Sequence, residues 1–524
     1  MMADWVQVLG DVTRWTLIGG LCVALLAGCK SLPPLDGRLD SKTLEPAESA
    51  ATALGRALAS EIEAHPGLSG IFPLADAQDA FAARVLLARA AERTLDVQYY
   101  IWRGDMTGTL LFETLHEAAD RGVRVRLLLD DNNTSGLDPT LRALDAHPLI
   151  EVRLFNPFLV RSPRAFGFLS DFSRLNRRMH NKTFTADSQA TIVGGRNIGD
   201  EYFGAGDGVL FADLDVIAVG PVAKDVSNDF DRYWASESSY PIGLLLPPAD
   251  PEQLSRLAAS ASLVERSPAA ASYVQAIRES NFIGQMLEGS LTFQWSPTRL
   301  VSDDPAKGLG QAEPEALLPY QLQEIIGVPR SDVELVSPYF VPTHAGVESF
   351  VSLAKQGVKV RILTNSLDAT DVTAVHSGYA KHRKALLEAG IELYEMRRLN
   401  PEMDKRKRSG PFGSSGSSLH AKTFAVDRQR VFVGSFNFDP RSVNLNTELG
   451  LVIDSSHLAG QIDDMFKSGI ARTAYEVRLT DDNQLYWLEQ VDGQAVRHTR
   501  EPHTSVWQRL GVGVLALLPI DWLL

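Results

Sequence analysis

One run of residues is written twice in this chain. His180-Asn181-Lys182 is followed by Asp187, Gly194, Gly195 and Asn197, and His420-Ala421-Lys422 is followed by Asp427, Gly434, Ser435 and Asn437. In both copies Lys is two positions after His, Asp five after Lys, and Asn ten after Asp. Met179 to Phe184 and Leu419 to Phe424 read as strands, and the period of 2 then sets His and Lys on one face. Asp187 and Asp427 begin turns, and Thr191-Ile192-Val193 and Val431-Phe432-Val433 are the returning strands. Gly194-Gly195 lets the backbone approach closely. A single His-x-Lys on a strand is usually a surface pair. Two copies in register, on matching strands, predict one site built from two similar halves.

The flanks repeat in the same order. Helices are expected over Ala51 to Ala64 and Asp76 to Ala91, then a strand from Thr94 to Trp102, a helix from Thr107 to Arg121 and a strand from Val123 to Leu129. Gly122 stands where a helix C-cap belongs. The second half has a strand at Val333 to Ser337, a helix from Gly346 to Lys355 and a strand at Val358 to Leu363. Arg121-Gly122-Val123-Arg124-Val125-Arg126 is echoed by Gln356-Gly357-Val358-Lys359-Val360-Arg361. Ile150 to Phe155 is echoed by Ile391 to Glu395, with a helix from Tyr379 to Ala389 before it. These β-α-β units predict an α/β protein. The expected divisions are a tether over 30–50, a first domain over 51–255, a linker with connecting helices over 256–330, a second domain over 331–490 and a C-terminal membrane-proximal segment over 491–524.

The chemistry these residues suit is phosphoryl transfer through a phosphohistidine. A phosphodiester needs a nucleophile, an acid for the departing alkoxide and positive charge for the phosphoryl oxygens. His180 and His420 supply the first two, and Lys182 and Lys422 the third, so no metal or other cofactor is required. Asn197, Asn437, Ser435 and Gly195 are candidate substrate-binding positions. Asp187 and Asp427 complete the candidate catalytic motif, although their place at the turns suits bonds to backbone or basic neighbours. Each histidine also needs a carboxylate on its second nitrogen. Glu448 is the candidate in the second half and Asp213 in the first.

The formal charge of −14 argues against a general nucleic-acid binder. A basic run, Lys405-Arg406-Lys407-Arg408, precedes the second motif and reads either as a solvated face or as an anion-attracting lid. The only cysteines are Cys22 and Cys29, so the body has no disulfide and no thiolate site. Trp15 to Ala27 is an apolar run too short for a confident span, and it ends in Leu26-Ala27-Gly28-Cys29, which resembles a bacterial lipobox. That pattern places lipid on Cys29 of an envelope protein, inner or outer membrane; an uncleaved anchor is the other reading. Phe158 to Leu169 interleaves apolar residues with Arg161 and Arg164, and Val506 to Leu524 is apolar with Trp507 and Trp522. Both suit a membrane interface or simple packing.

The chain resembles the phospholipase D superfamily, and within it the C-type branch of bacterial cardiolipin synthases. The resemblance runs over nearly all of residues 70–524. It is carried by the double motif, by Leu95 to Trp102, Leu127 to Asn132 and Asp171 to Lys182, and by Ser435-Phe436-Asn437-Phe438-Asp439-Pro440-Arg441-Ser442. It implies two phospholipase D-like α/β/α sandwich domains with mixed sheets and an active site at their interface. It also implies His180 as nucleophile and His420 as acid/base. The implied reaction is transphosphatidylation onto phosphatidylglycerol, from phosphatidylglycerol or phosphatidylethanolamine, with ethanolamine exchange as a reverse reaction. A phospholipase D hydrolase and a non-enzymatic envelope lipoprotein are the alternatives. A nuclease of the same superfamily is disfavoured by the acidity, so no nucleic-acid partner is expected. Gly195 departs from the more usual serine seen at Ser435.

Overall fold

The computed structural model describes residues 31–204, 213–398 and 419–524. The apolar run, Cys22, Cys29 and the basic run at 405–408 lie outside the described residues.

Two sheets carry the chain. The first runs, in spatial order, β8 (Ser239–Pro241), β4 (Ile150–Phe155), β3 (Arg124–Asp130), β2 (Thr94–Tyr99), β5 (Thr183–Ala186), β6 (Ala190–Gly194), β7 (Asp215–Val219), β1 (Ser69–Leu74) and β9 (Gln294–Ser296). The second runs β10 (Thr298–Ser302), β16 (Leu449–Asp454), β15 (Arg430–Gly434), β14 (Thr423–Val426), β11 (Asp332–Val336), β12 (Lys359–Asn365), β13 (Glu392–Met396), β17 (Ala474–Leu479), β18 (Leu485–Val491) and β19 (Gln494–His498). Both are mixed in the same way. β2, β3 and β4 are parallel, as are β11, β12 and β13, because helices cross between them. Beyond β2 and β11 the strands turn antiparallel through tight hairpins. The duplication read from the repeated strings is thus a duplication of topology.

The echoed arginines show why those strings are alike. Arg126 and Arg361 are fully buried and stand in register opposite Asp96 and Glu334. Arg126 grips Asp96 with two bonds of 2.7 and 2.8 Å, and Arg361 pairs with Glu334. Each guanidinium also lies over a ring, Phe230 or Phe466. A buried charge left alone is costly, so acid and base must be kept together. This is why both members occur in both halves.

One apolar core joins the halves. Val193, Val216 and Ala218 of the first sheet pack in the same cluster as Val336, Val431, Val433, Leu449 and Leu451 of the second. The two sheets therefore meet across an apolar seam, where β6 and β7 touch β15 and β6 touches β16.

Several expected boundaries differ. The expected linker is not a separate unit: β9 completes the first sheet, β10 opens the second, and Pro297 lies between them. Its helices Gln253–Glu265 and Ala271–Glu279 pack on the first domain. The expected tether is bound to that domain too. Arg38 donates to the carbonyls of Ser236 and Ser239, and Thr43 donates from its backbone to Asp231. The expected helix over 379–389 is two, Thr373–Ala380 and Arg383–Glu388. The second sheet continues past residue 490 into β19.

Candidate active site

The hairpin aspartates are fixed first. Asp187 and Ser188, like Asp427 and Arg428, have positive φ between 51° and 55°, the geometry of a two-residue turn that matches strand twist. Asp187 accepts hydrogen bonds from the backbone N–H groups of Glu92, Arg93 and Thr94 at 2.8–3.0 Å. Asp427 accepts from Arg330 and Ser331 at 2.8 and 2.7 Å. Both carboxylates therefore staple the hairpin tip to the start of the neighbouring strand. They sit at the far end of the hairpin from the histidines, which removes them from the candidate catalytic set.

The histidine segments are not strands as expected; β5 and β14 begin only at Thr183 and Thr423. What holds them extended is an outside partner. His180 donates its backbone N–H to Thr447 O at 2.9 Å, and Thr447 returns one to Arg178 O at 2.9 Å. The residue before each histidine is gripped by the last residue of β3 or of β12. Met179 N–H donates to Asp130 Oδ2 at 2.8 Å, and Leu419 N–H to Asn365 Oδ1 at 3.2 Å. A backbone N–H outside a ladder must find such an acceptor.

The carboxylates cross between halves. His180 Nδ1 lies 2.8 Å from Glu448 Oε2, and His420 Nδ1 lies 2.6 Å from Asp213 Oδ2. The two carboxylates nominated from the sequence each serve the histidine of the other half. The reason is the seam: the residues just before β7 and β16, Asp213 and Glu448, reach the histidine of the facing half. With Nδ1–H held by a carboxylate, Nε2 of each ring is left as the free lone pair.

Glu448 is held by Ser435 Oγ at 2.5 Å and Ser442 Oγ at 2.8 Å. Ser435 is thus a support for a carboxylate rather than a group aimed at a ligand. Gly195, its counterpart, supports by absence: a Cβ there would overlap Asp213 Oδ1. Asp213 occupies the space that a side chain at 195 would take. Gly195→Ser is expected to push Asp213 off His420 and lower turnover by roughly tenfold, in the range of lost support for an orienting contact, while leaving Tm almost unchanged; steady-state rates beside a melting curve check it.

Lys182 and Lys422 are buried, and each bonds the carbonyl of its own histidine. Asn197 accepts from Ile101 N–H at 3.2 Å, and its Nδ2 has no hydrogen-bond partner among the described residues. Asn437 Oδ1 is likewise buried without one. Tyr100 and Tyr202 set their rings edge-on to His180 and His420, with centroids 4.9 and 5.1 Å apart. The tyrosines, Thr447, Asp130 and Asn365 are not among the candidate site residues of the sequence; Tyr100 and Asp130 carry a visible signal there, since both lie in strings that bear the family resemblance.

Electrostatics follow from burial and crowding of cations. Burial, then Lys182 and Lys422, hold His180 well below its ordinary pKa. Burial and Lys422 hold His420 at about 3 against the pull of Asp213. Both rings are neutral in the free site. Burial works against ionisation of Asp213, but His420, Arg196 and Lys422 outweigh it and keep the carboxyl at about 2. Burial raises Glu448 to about 7, opposed by Lys182 and the two serines. Burial and then Lys422 hold Lys182 well below the ordinary lysine value, against the pull of Glu448 and Asp213. Among the described residues no group of three or more His, Cys, Asp or Glu is placed to hold a metal ion.

Comparison with known proteins identifies the family. The family model described as "Cardiolipin synthase, PLD-like domain" matches twice, over residues 86–234 and 322–470. Cardiolipin synthase C of Escherichia coli is 51% identical over 460 residues, covering 88% of this chain and 97% of that one. A cardiolipin synthase of Staphylococcus aureus is 23% identical, covering 80% of this chain and 70% of that one. The crystal structure of a phosphatidylserine synthase of Haemophilus influenzae superposes with a TM-score of 0.56 at 13% identity, over 90% of this chain and all of that one, which shows a shared fold. The chain belongs to the cardiolipin synthase family of the phospholipase D superfamily, and its two halves are two copies of that family's domain.

Proposed function

We infer that the chain is a phosphatidyltransferase that makes cardiolipin by transphosphatidylation. The observation that carries this reading is the pair of buried imidazoles, each bonded at Nδ1 to a carboxylate from the other half, beside two buried lysines. His180 Nε2 attacks the phosphorus of a phosphatidyl donor. The P–O bond to the head group breaks, and the alkoxide takes a proton from His420. Phosphatidylglycerol then gives its hydroxyl proton back to His420 while its oxygen displaces His180. One phosphodiester replaces another, so the exchange is nearly balanced in free energy and runs in reverse with glycerol or ethanolamine.

His420 must be protonated for the first half-reaction, and the free site disfavours that. The phosphodiester supplies the remedy. Its negative charge lies against the cations that suppress imidazolium, so substrate binding raises the proton affinity of His420. Burial supports transfer over hydrolysis, since His180 and His420 are only 6% and 8% exposed and water has poor access to a phosphohistidine. Asn197, whose Nδ2 is a buried donor without a partner among the described residues, and the two lysines are the groups for the phosphoryl oxygens, while the unpartnered Oδ1 of Asn437 can only accept, which suits a hydroxyl of donor or acceptor lipid. Anchoring by lipid on Cys29 in a bacterial envelope membrane fits a water-insoluble substrate.

Purified protein with labelled phosphatidylglycerol vesicles, with and without phosphatidylethanolamine, tests the reading by mass spectrometry. Cardiolipin with free glycerol or ethanolamine is expected and names the donor. Phosphatidic acid alone would mean a hydrolase, and no lipid turnover would sink the assignment. A pH prediction follows from Lys422. Burial brings it down to about 8, with Asp213 and Glu448 resisting. The ammonium is present below that pH and lost above it, so kcat/KM is expected to fall as pH rises through about 8. Lys422→Arg, whose charge persists, is expected to remove the limb at about 8 and leave only the one set by Lys182, which burial and its neighbour hold well below the ordinary lysine value.

A further inference from the structure

The loop that carries Glu448 is also where the exposed apolar parts of the chain converge. Helix Gly167–Leu175 turns outward Leu169, 83% exposed, with Phe166 and Phe172 beside it. Its C-cap, Asn176, is clamped by Arg441 through bonds of 3.0 and 2.6 Å to Oδ1. The backbone of Arg441 donates to Leu524 O at 2.7 Å. Leu524 ends the segment that follows helix Val506–Ala516, and it packs on Val341 and Val375. Helix and segment together expose Trp507 at 78% and Leu517 at 86%, with Leu510, Val514 and Trp522 also outward. One residue after Arg441, Ser442 holds Glu448, and Glu448 holds His180. Both apolar elements therefore flank the wall of the active site.

The entry of the chain points the same way. Arg38 binds the carbonyls of Ser236 and Ser239, and the neighbouring Tyr240 is within electrostatic reach of both Arg38 and Arg174 of the exposed helix. The described chain starts seven residues before Arg38, at Ser31, and the apolar Trp15 to Ala27 run precedes it. Charge at this place is complementary to an anionic surface. Arg177, next to Asn176, donates only to the carbonyls of Lys307 and Asn444 and has no acidic partner among the described residues. In a chain of net charge −14, exposed aromatics and aliphatics beside an uncompensated guanidinium suit a bilayer interface better than a polar protein surface.

We propose that helix Gly167–Leu175 and the Val506–Leu524 segment form one docking face for an anionic phospholipid bilayer, set around the entrance to the two-histidine site. The proposal rests on the phospholipid reading above. Its role is to seat the reacting phosphodiester at headgroup depth while the acyl chains stay in the membrane, so that the lipid need not leave the bilayer to react.

The full chain in vesicles of phosphatidylglycerol and phosphatidylethanolamine with brominated acyl chains tests it. Fluorescence quenching by bromine is expected in the parent and is expected to shrink in Trp507→Phe/Trp522→Phe. In Leu169→Asp/Leu517→Asp, the ratio of turnover on vesicles to turnover on monomeric short-chain phosphatidylglycerol is expected to fall about tenfold. Leu263→Asp, on an exposed position of helix Gln253–Glu265, is expected to leave that ratio alone. Quenching undiminished by the double Phe change overturns the docking face, and so does an unchanged ratio, including the case where these residues instead bury each other in a dimer. The two readings separate cleanly. Bromine quenching through Trp507 and Trp522 without any lipid turnover keeps the docking face and removes the substrate assignment. Cardiolipin formation with unaltered quenching and ratio does the reverse.

Discussion

Alanine at either His180 or His420 is expected to lower phosphatidyl transfer by roughly 10⁴-fold, because each removes a group that acts on the reacting atoms. The two losses should differ in kind. A phosphodiester with a nitrophenol leaving group needs little acid assistance. With His420→Ala, such a substrate is expected to load one phosphatidyl group onto His180 and stop there, because the acceptor hydroxyl then has no base. Intact-mass measurement would show the adduct, and peptide mapping would place it. An adduct on His420 in the His180→Ala protein, with none in the other, would reverse the order of roles inferred above.

The crossed carboxylates give the second large effect. Glu448→Gln and Asp213→Asn are each expected to lower kcat on the order of 10²-fold, by letting the imidazole turn or adopt the wrong tautomer. Their coupling tells more than their size. Glu448 touches His180, and Asp213 touches His420. Glu448→Gln should therefore add almost nothing to His180→Ala, whereas it should still reduce the residual activity of His420→Ala. Asp213→Asn should show the opposite pattern. If each carboxylate were coupled to the histidine of its own half, the crossed geometry would be wrong.

Much of the fold was legible because the duplication preserves order as well as residues. Strand β4 is found where Ile150 to Phe155 predicts it, and the helices at Ala53–Ala64, Ala77–Ala90 and Met106–Asp120 match the apolar spacing closely. Gly122 takes a positive φ of 99° after the last of these, as a C-cap glycine should. What escaped was whatever depends on contacts across the seam. Periodicity makes His180 to Lys182 look like strand, but the extended shape comes from Thr447, some 270 residues away in sequence. The carboxylates could be nominated from their motif neighbourhoods, yet no local pattern says which ring each one faces. That choice is made by the packing of the two sheets at the seam. The strands β9 and β10 escaped for a related reason. They are three and five residues long and become strands only by pairing with β1 and β16. Asp187 and Asp427 show the opposite case, where turn chemistry was readable and motif membership alone misleads.

The crossing of Asp213 and Glu448 also sets how divisible the molecule is. A fragment ending after β9 would own a histidine and a lysine but would lack Glu448, the group that orients that histidine. A fragment starting at β10 would lack Asp213 in the same way. Neither is a smaller, weaker enzyme; each is missing a part that only the other contains. The short stretch at Pro297 joins what are in effect two mutually dependent subunits in a single polypeptide, at a fixed ratio of one to one. Their encounter does not depend on protein concentration, and the site cannot be diluted apart.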